Sequence, residues 1–192
     1  MKNYFRLVFE ACEICKFFEF WSSCYEEGKY PDDIYLKNIA VDLTPASFKE
    51  LLEWKNGMPL SGKKSSIMDR GIAYLQLLNQ FKRGEIGKDK LPKITEGFVW
   101  QIFILNICKP EEYPLIDQHT FRAYVFITQN KVVEKPTQNV MKQEYDNYKA
   151  YVFALAHETG FNLRKIDKGL MAFGQFLNSQ FFKLGIADAS FT

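Results

Sequence analysis

Three features of this sequence predict an all-α fold. Apolar residues recur at three- and four-residue steps along several long segments, which is the spacing of one helical face. Strict apolar–polar alternation never runs beyond a few residues, so the sheet signature is missing. Thr, Asn, Pro and Gly stand where helices begin and end. With 47% hydrophobic and 16% aromatic residues among 192, the chain has the side chains for a real core. No repeat or low-complexity tract interrupts it. About seven helices are expected, packed as two lobes with a cleft between them. The whole of 1–192 is expected to be one domain, with lobes at about 45–130 and at 1–44 plus 131–192.

The first helix is expected from Tyr4 to Tyr25, where Phe5, Val8, Phe9, Cys12, Ile14, Cys15, Phe18 and Trp21 recur at three- and four-residue steps. Gly28 and Pro31-Asp32-Asp33 end it, and Ile34–Leu43 reads as a connector with short extended pieces. Thr44-Pro45 is a helix start, with Thr as N-cap and Pro at the first helical position. Phe48, Leu51, Leu52 and Trp54 form that helix's apolar face, and Lys55-Asn56-Gly57 stops it. Periodicity resumes from Ile67 to Phe81. Further helices are expected over Phe98–Cys108, His119–Gln129 and Val140–Glu158, the last lined by Tyr145, Tyr148, Tyr151, Val152 and Leu155. Gly160 reads as a C-cap. A final helix begins at Asn162 or Leu163 and points Ile166, Leu170, Phe173 and Leu177 inward.

No apolar run approaches the ~20 residues of a membrane span. Arg6, Glu10, Glu13 and Lys16 make the first segment amphipathic rather than a signal peptide. A cytoplasmic protein away from membranes is therefore expected. Net charge is only +2, so any nucleic-acid footprint must be local. One candidate is FKRGEIGKDKLPK, where Lys82, Arg83, Lys88, Lys90 and Lys93 face only Glu85 and Asp89. Equally, it reads as a solvated loop. Cys12 and Cys15 have knuckle spacing, but no second pair follows. Small buried hydrophobes at i and i+3 explain them better than a metal.

The segment Leu91 to Arg122, LPKITEGFVWQIFILNICKPEEYPLIDQHTFR, concentrates the chemistry. Asp117 is a lone acid after an apolar stretch, with His119 and Arg122 within the next turn and a half. Charge is costly to place for packing alone, because a desolvated acid needs partners. Taken by itself, Asp117 reads equally as a reactive carboxylate and as an N-cap for a helix starting at Gln118.

This segment resembles the core of the helix-hairpin-helix DNA glycosylase superfamily, which includes enzymes of the 8-oxoguanine glycosylase and endonuclease III type. There a hairpin of the form L-P-G-V-G is followed by a helix, a loop and an aspartate in a D-x-H-x-x-R setting. Asp117, His119 and Arg122 match the tail, with Pro114 ahead of the acid. The head departs from the pattern: Lys93 stands at a usual glycine, and Ile94-Thr95-Glu96-Gly97 loosens the second. The resemblance implies a degenerate hairpin and an enzyme that flips a base out of double-stranded DNA. Asp117 would be its catalytic carboxylate. It implies DNA contacts from Lys93, Ile94, Thr95 and Gly97, with a monovalent cation as the only cofactor at the hairpin. His119 would be a structural or phosphate-side residue. Arg122 would hold a phosphate or pair with an acid.

Relatives that also cut the strand carry a lysine nucleophile just after the hairpin. Glu96-Gly97-Phe98 stands there instead, so a monofunctional, water-using enzyme without lyase activity is implied. Some relatives hold an iron–sulfur cluster on four cysteines after the aspartate. No cysteine follows Cys108, so no such cluster is expected. Trp54, Phe98 and Phe121 are the base-pocket candidates, although aromatics at helical spacing more often belong to the core. Asn56, in a polar turn after Trp54, is the candidate wedge. The implied substrate is a damaged base or a hypermodified phage base, such as glucosylated hydroxymethylcytosine, the latter in antiviral defence. A monomer is expected. The competing expectations are a non-catalytic DNA-binding helical module and a helical interaction protein.

Overall fold

The computed structural model describes residues 13–180, except for the Lys63 side chain. Among these residues the regular structure is helical, with no strand, as expected for an all-α protein. The described residues form nine α-helices, where about seven were expected. They gather into two compact units, one from residues 13–25 with 114–180 and the other from Glu26–Tyr113.

In the unit formed by 13–25 and 114–180, α1 is Ile14–Ser23. The part of the expected first helix before residue 13, with Cys12, lies outside the described residues. The next helix, α7 (Gln118–Gln129), ends on Asn130 in the left-handed region, φ 51°, a conformation Asn tolerates at a helix end. Pro136 precedes α8 (Gln138–Thr159), which Thr137 caps by accepting from the Val140 amide. The last, α9 (Leu163–Leu177), starts at Asn162, whose side chain accepts from the Lys165 amide at 2.8 Å. The inward row expected for α9 is buried throughout: Ile166, Leu170, Phe173 and Leu177.

Helix α9 packs on both α7 and α1. Phe173 meets the rings of Phe17, Trp21 and Phe126 at 5.1, 5.0 and 5.7 Å. Gly169 lets the Phe18 ring in, since a Cβ there would stand 2.6 Å from Phe18 Cδ1. Aromatic rings packed in this way bury a large apolar area per residue.

In the unit Glu26–Tyr113, α2 is Asp32–Ile39, where the sequence suggested a connector. Pro31 fixes the entry, and Asp32 and Asp33 occupy the first turn, where the helix dipole favours acids. Pro-Asp-Asp was a start signal as well as a stop. Helix α3 (Pro45–Asn56) has the expected cap: Ser47 N donates to Thr44 Oγ1 at 3.1 Å and Thr44 N to Ser47 Oγ at 2.9 Å. Gly57, at φ 68°, closes it in the left-handed conformation that glycine allows.

The expected helix from Ile67 to Phe81 is two, α4 (Ser65–Ala73) and α5 (Leu75–Lys82). The break falls at Tyr74, whose amide bonds back three residues to Gly71 at 3.1 Å. A short 3-10 turn at Lys88–Lys90 and the extended run 91–97 lead into α6 (Phe98–Cys108), with the bounds the sequence suggested. From Ile102 to Cys108 every α6 residue is buried, which is the position of an apolar helix at the centre of its unit. Its buried Asn106 is satisfied on both sides, accepting from Tyr35 Oη at 2.7 Å and donating to the Tyr113 carbonyl at 2.8 Å.

Lys82 has turned inward from the basic run. Its ammonium donates to the Ile39 carbonyl and, at 3.2 Å, to the Ile107 carbonyl, serving the carboxyl ends of α2 and α6 together. Burial pulls its pKa down, and burial pushes the neighbouring Cys108 thiol up to about 12. That thiol is an inert core group rather than a nucleophile.

No described helix is long and apolar enough to cross a membrane.

Candidate functional site

Asp117 is the N-cap of α7. Its Oδ1 accepts from the His119 amide at 2.7 Å and the Thr120 amide at 3.1 Å, while Thr120 Oγ1 accepts from the Asp117 amide at 2.9 Å. The capping reading of the sequence is therefore realised. Asp117 is half-buried as a residue. The start of α7 and the Arg122 charge both place positive potential around the group.

The loop before Asp117 is held as firmly as the turn after it. Tyr145 Oη donates to the Pro114 carbonyl at 3.0 Å and Tyr148 Oη to the Leu115 carbonyl at 2.7 Å. Both rings are buried on α8, and Leu115 and Ile116 are buried beneath them. Burial pushes the phenols of Tyr124, Tyr148 and Tyr151 upward. A phenol with a raised folded pKa holds its proton more tightly in the fold. The associated stability is thus complete below about pH 10 and is lost as pH rises through the folded values. Phenolate absorbance from these rings should therefore appear together with loss of the helical signal in an alkaline titration. A rise that completes while the helices persist would contradict their burial.

Arg122 is 1% exposed, which corrects its assignment to a phosphate. Its guanidinium donates to the backbone carbonyls of Val133 (2.8 Å), Glu134 (2.6 Å) and Gly174 (3.0 Å), and to His119 Nδ1 at 3.1 Å. Arg122 therefore ties α7 to α9 and to the segment after α7. Burial lowers its pKa, with Asp117 and Glu134 acting the other way. Because arginine stays protonated, Nδ1 of His119 must be the acceptor and Nε2 carries the ring hydrogen. His119 is a structural partner of Arg122.

Lysine at position 122 cannot reproduce the planar fork. Arg122→Lys is expected to lower stability by about 2–4 kcal/mol, because buried carbonyls are left unmet. A denaturant titration with an unmoved midpoint would show that the fork is dispensable.

Part of the hairpin segment is bonded within itself. The Gly97 amide donates to Thr95 Oγ1 at 3.2 Å, and Gln101 Nε2 donates to the Thr95 carbonyl at 2.8 Å. Gly97 has φ −72°, so no glycine-only conformation is used there. This corrects Gly97 as a phosphate-facing amide. The Ile94 and Thr95 side chains are buried, and exposed Lys93 pairs with Glu96.

The three base-pocket candidates are also corrected. Trp54 stacks between Tyr35 (4.8 Å) and Phe103 (6.2 Å) and is 6% exposed. Phe98 and Phe121 are buried likewise. All three are core, as aromatics at helical spacing usually are. Asn56 closes its own turn, donating to the Met58 and Pro59 carbonyls at 3.0 and 3.3 Å and accepting from Lys64.

The basic run is likewise partnered within its unit. Arg83 binds Asp42 and Glu85, Lys90 pairs with Asp89, and Lys88 lies over the Tyr113 ring at 5.5 Å. Asp117, His119 and Arg122 therefore form one cluster on α7. The hairpin residues, Asn56 and Trp54 belong to the other unit.

Sequence reasoning missed Tyr145, Tyr148 and Gly174. The tyrosines were visible as a helical face, but nothing in a single sequence marks where a hydroxyl will bond. No protein-family model, curated protein or solved structure matches this chain.

Proposed function

We propose that this chain is a monofunctional DNA N-glycosylase acting on a damaged or hypermodified base, with Asp117 as its carboxylate. The observation that carries this reading is the treatment of Asp117. A half-buried acid is anchored by two amides at 2.7 and 3.1 Å, and the loop ahead of it is anchored by two buried tyrosines. A carboxylate fixed on both sides is suited to stabilising charge that develops nearby.

In the proposed reaction the C1′–N bond lengthens and its electron pair leaves with the base. Positive charge gathers on the sugar next to the Asp117 carboxylate. Water adds to C1′, its proton passes by way of the carboxylate or solvent to the departing base, and an abasic site remains. The base must first leave the stack, at a cost of a few kcal/mol. Lys90 and Lys93 are exposed and held only in surface ion pairs. Such pairs are worth little and exchange readily for phosphates.

The second reading is a non-catalytic DNA-binding module. It is favoured by the capping bonds of Asp117, which give that residue a structural use without chemistry. The deciding experiment incubates the protein with alkylated and oxidised oligonucleotides and with phage DNA carrying hypermodified cytosine. Mass spectrometry then measures free base, and alkali reveals abasic sites. Free base from any of these supports the enzyme. Salt-dependent DNA binding with no base released from any substrate replaces it with the binding module. No binding at low salt removes both.

A further inference from the structure

We propose that Tyr145 and Tyr148 are positioning residues for Asp117, an inference that rests on reading Asp117 as the catalytic carboxylate. The two tyrosines stand three residues apart on the buried face of α8. Their hydroxyls bond two consecutive carbonyls, Pro114 and Leu115, at 3.0 and 2.7 Å. Only Ile116, itself buried, separates the second clamped carbonyl from Asp117.

On the other side of Asp117, the first turn of α7 holds its backbone amide and its carboxylate. Tyr148, whose hydroxyl makes the shorter of the two bonds, is 1% exposed. That ring has little freedom. Tyr145 stacks on it at 6.3 Å and Tyr124 meets it edge-on at 5.6 Å. Phenylalanines would fill the same space. The hydroxyls add what packing alone does not, a fixed orientation for the two peptides that deliver the acid. A reacting group displaced by about 1 Å loses up to about a hundredfold in rate, so such a fixture matters to chemistry.

The test uses the full chain, labelled with nitrogen-15, as wild type, Tyr148→Phe and Tyr35→Phe. The last variant removes a comparable buried hydroxyl bond, that from Tyr35 to Asn106 at 2.7 Å. Two quantities are read: the amide resonances of His119 and Thr120, which donate to Asp117, and the single-turnover rate of base release alongside DNA affinity. Tyr148→Phe is expected to shift both amide resonances and slow release by about tenfold with affinity unchanged. Tyr35→Phe is expected to do neither. Should Tyr148→Phe fail to fold, Tyr145→Phe, which breaks the longer bond, carries the same two readouts.

Unmoved amides, or moved amides with a wild-type rate, overturn the proposal whatever happens to the unfolding midpoint. If wild type releases no base, the reading of Asp117 as catalytic is what fails. The amide shifts alone then decide whether the tyrosines position the carboxylate.

Discussion

Gly174→Ala is expected to be among the most destabilising single substitutions in this chain, at about 3 kcal/mol or more. A Cβ on Gly174 would overlap the His119 carbonyl oxygen and stand 2.5 Å from its carbon and 3.0 Å from its Cα. These are backbone atoms of the first turn of α7, so no side-chain rotation relieves the clash. Either α9 or α7 must move. If α9 moves, the Arg122 bond to the Gly174 carbonyl at 3.0 Å is stretched. If the α7 turn moves, the His119 amide leaves Asp117. Both routes damage the candidate site together with the fold.

Gly71→Ala provides the contrast. There the added atom would meet the buried Phe48 ring, a side chain whose displacement costs less than moving a helix backbone, and a smaller loss is expected. The measurement is the urea midpoint of each variant with its m-value, where a lower midpoint at constant m reports stability alone. A Gly174→Ala midpoint equal to that of wild type would mean that α7 and α9 do not approach this closely.

Asp117→Asn carries the largest expected effect on activity. Asparagine ranks with aspartate as an N-cap, so the amides of His119 and Thr120 keep their acceptor and α7 its start. What disappears is the negative charge. If that charge stabilises the sugar cation, base release should fall by about 10²–10³-fold while the melting temperature barely changes. Asp117→Ala is expected to lose the cap as well, at about 1 kcal/mol. An effect on stability confined to the alanine variant, with no effect of either on base release, would leave Asp117 as a cap alone.

Much of the scaffold was legible because it rests on local signals. Thr44-Pro45 and Gly57 bound α3 where the sequence placed them, Asn162 starts α9, and the row Ile166, Leu170, Phe173, Leu177 is buried. The failures have physical causes. Pro31-Asp32-Asp33 was read as the end of one helix when it also begins the next, since the same residues serve both ends of a turn. The break at Tyr74 left no mark because the apolar spacing runs through it.

The site was less legible than the fold, since side-chain partners are tertiary. Arg122 reads in the sequence as a phosphate ligand or the partner of an acid, yet it is spent on three carbonyls and an imidazole. The basic run from Lys82 to Lys93 looks like a footprint, yet Lys82 faces inward, and Arg83, Lys90 and Lys93 meet acids within their own unit. Asp117 satisfied both of its readings in the sequence. Its structure supplies the cap.

The most direct test of the account is single-turnover release of base by wild type and Asp117→Asn, on whichever modified DNA the wild type attacks, with the melting temperature of both proteins measured in the same buffer. The account predicts release by wild type, at least a hundredfold slower release by the variant, and matching melting temperatures. Equal rates from two equally stable proteins would contradict it.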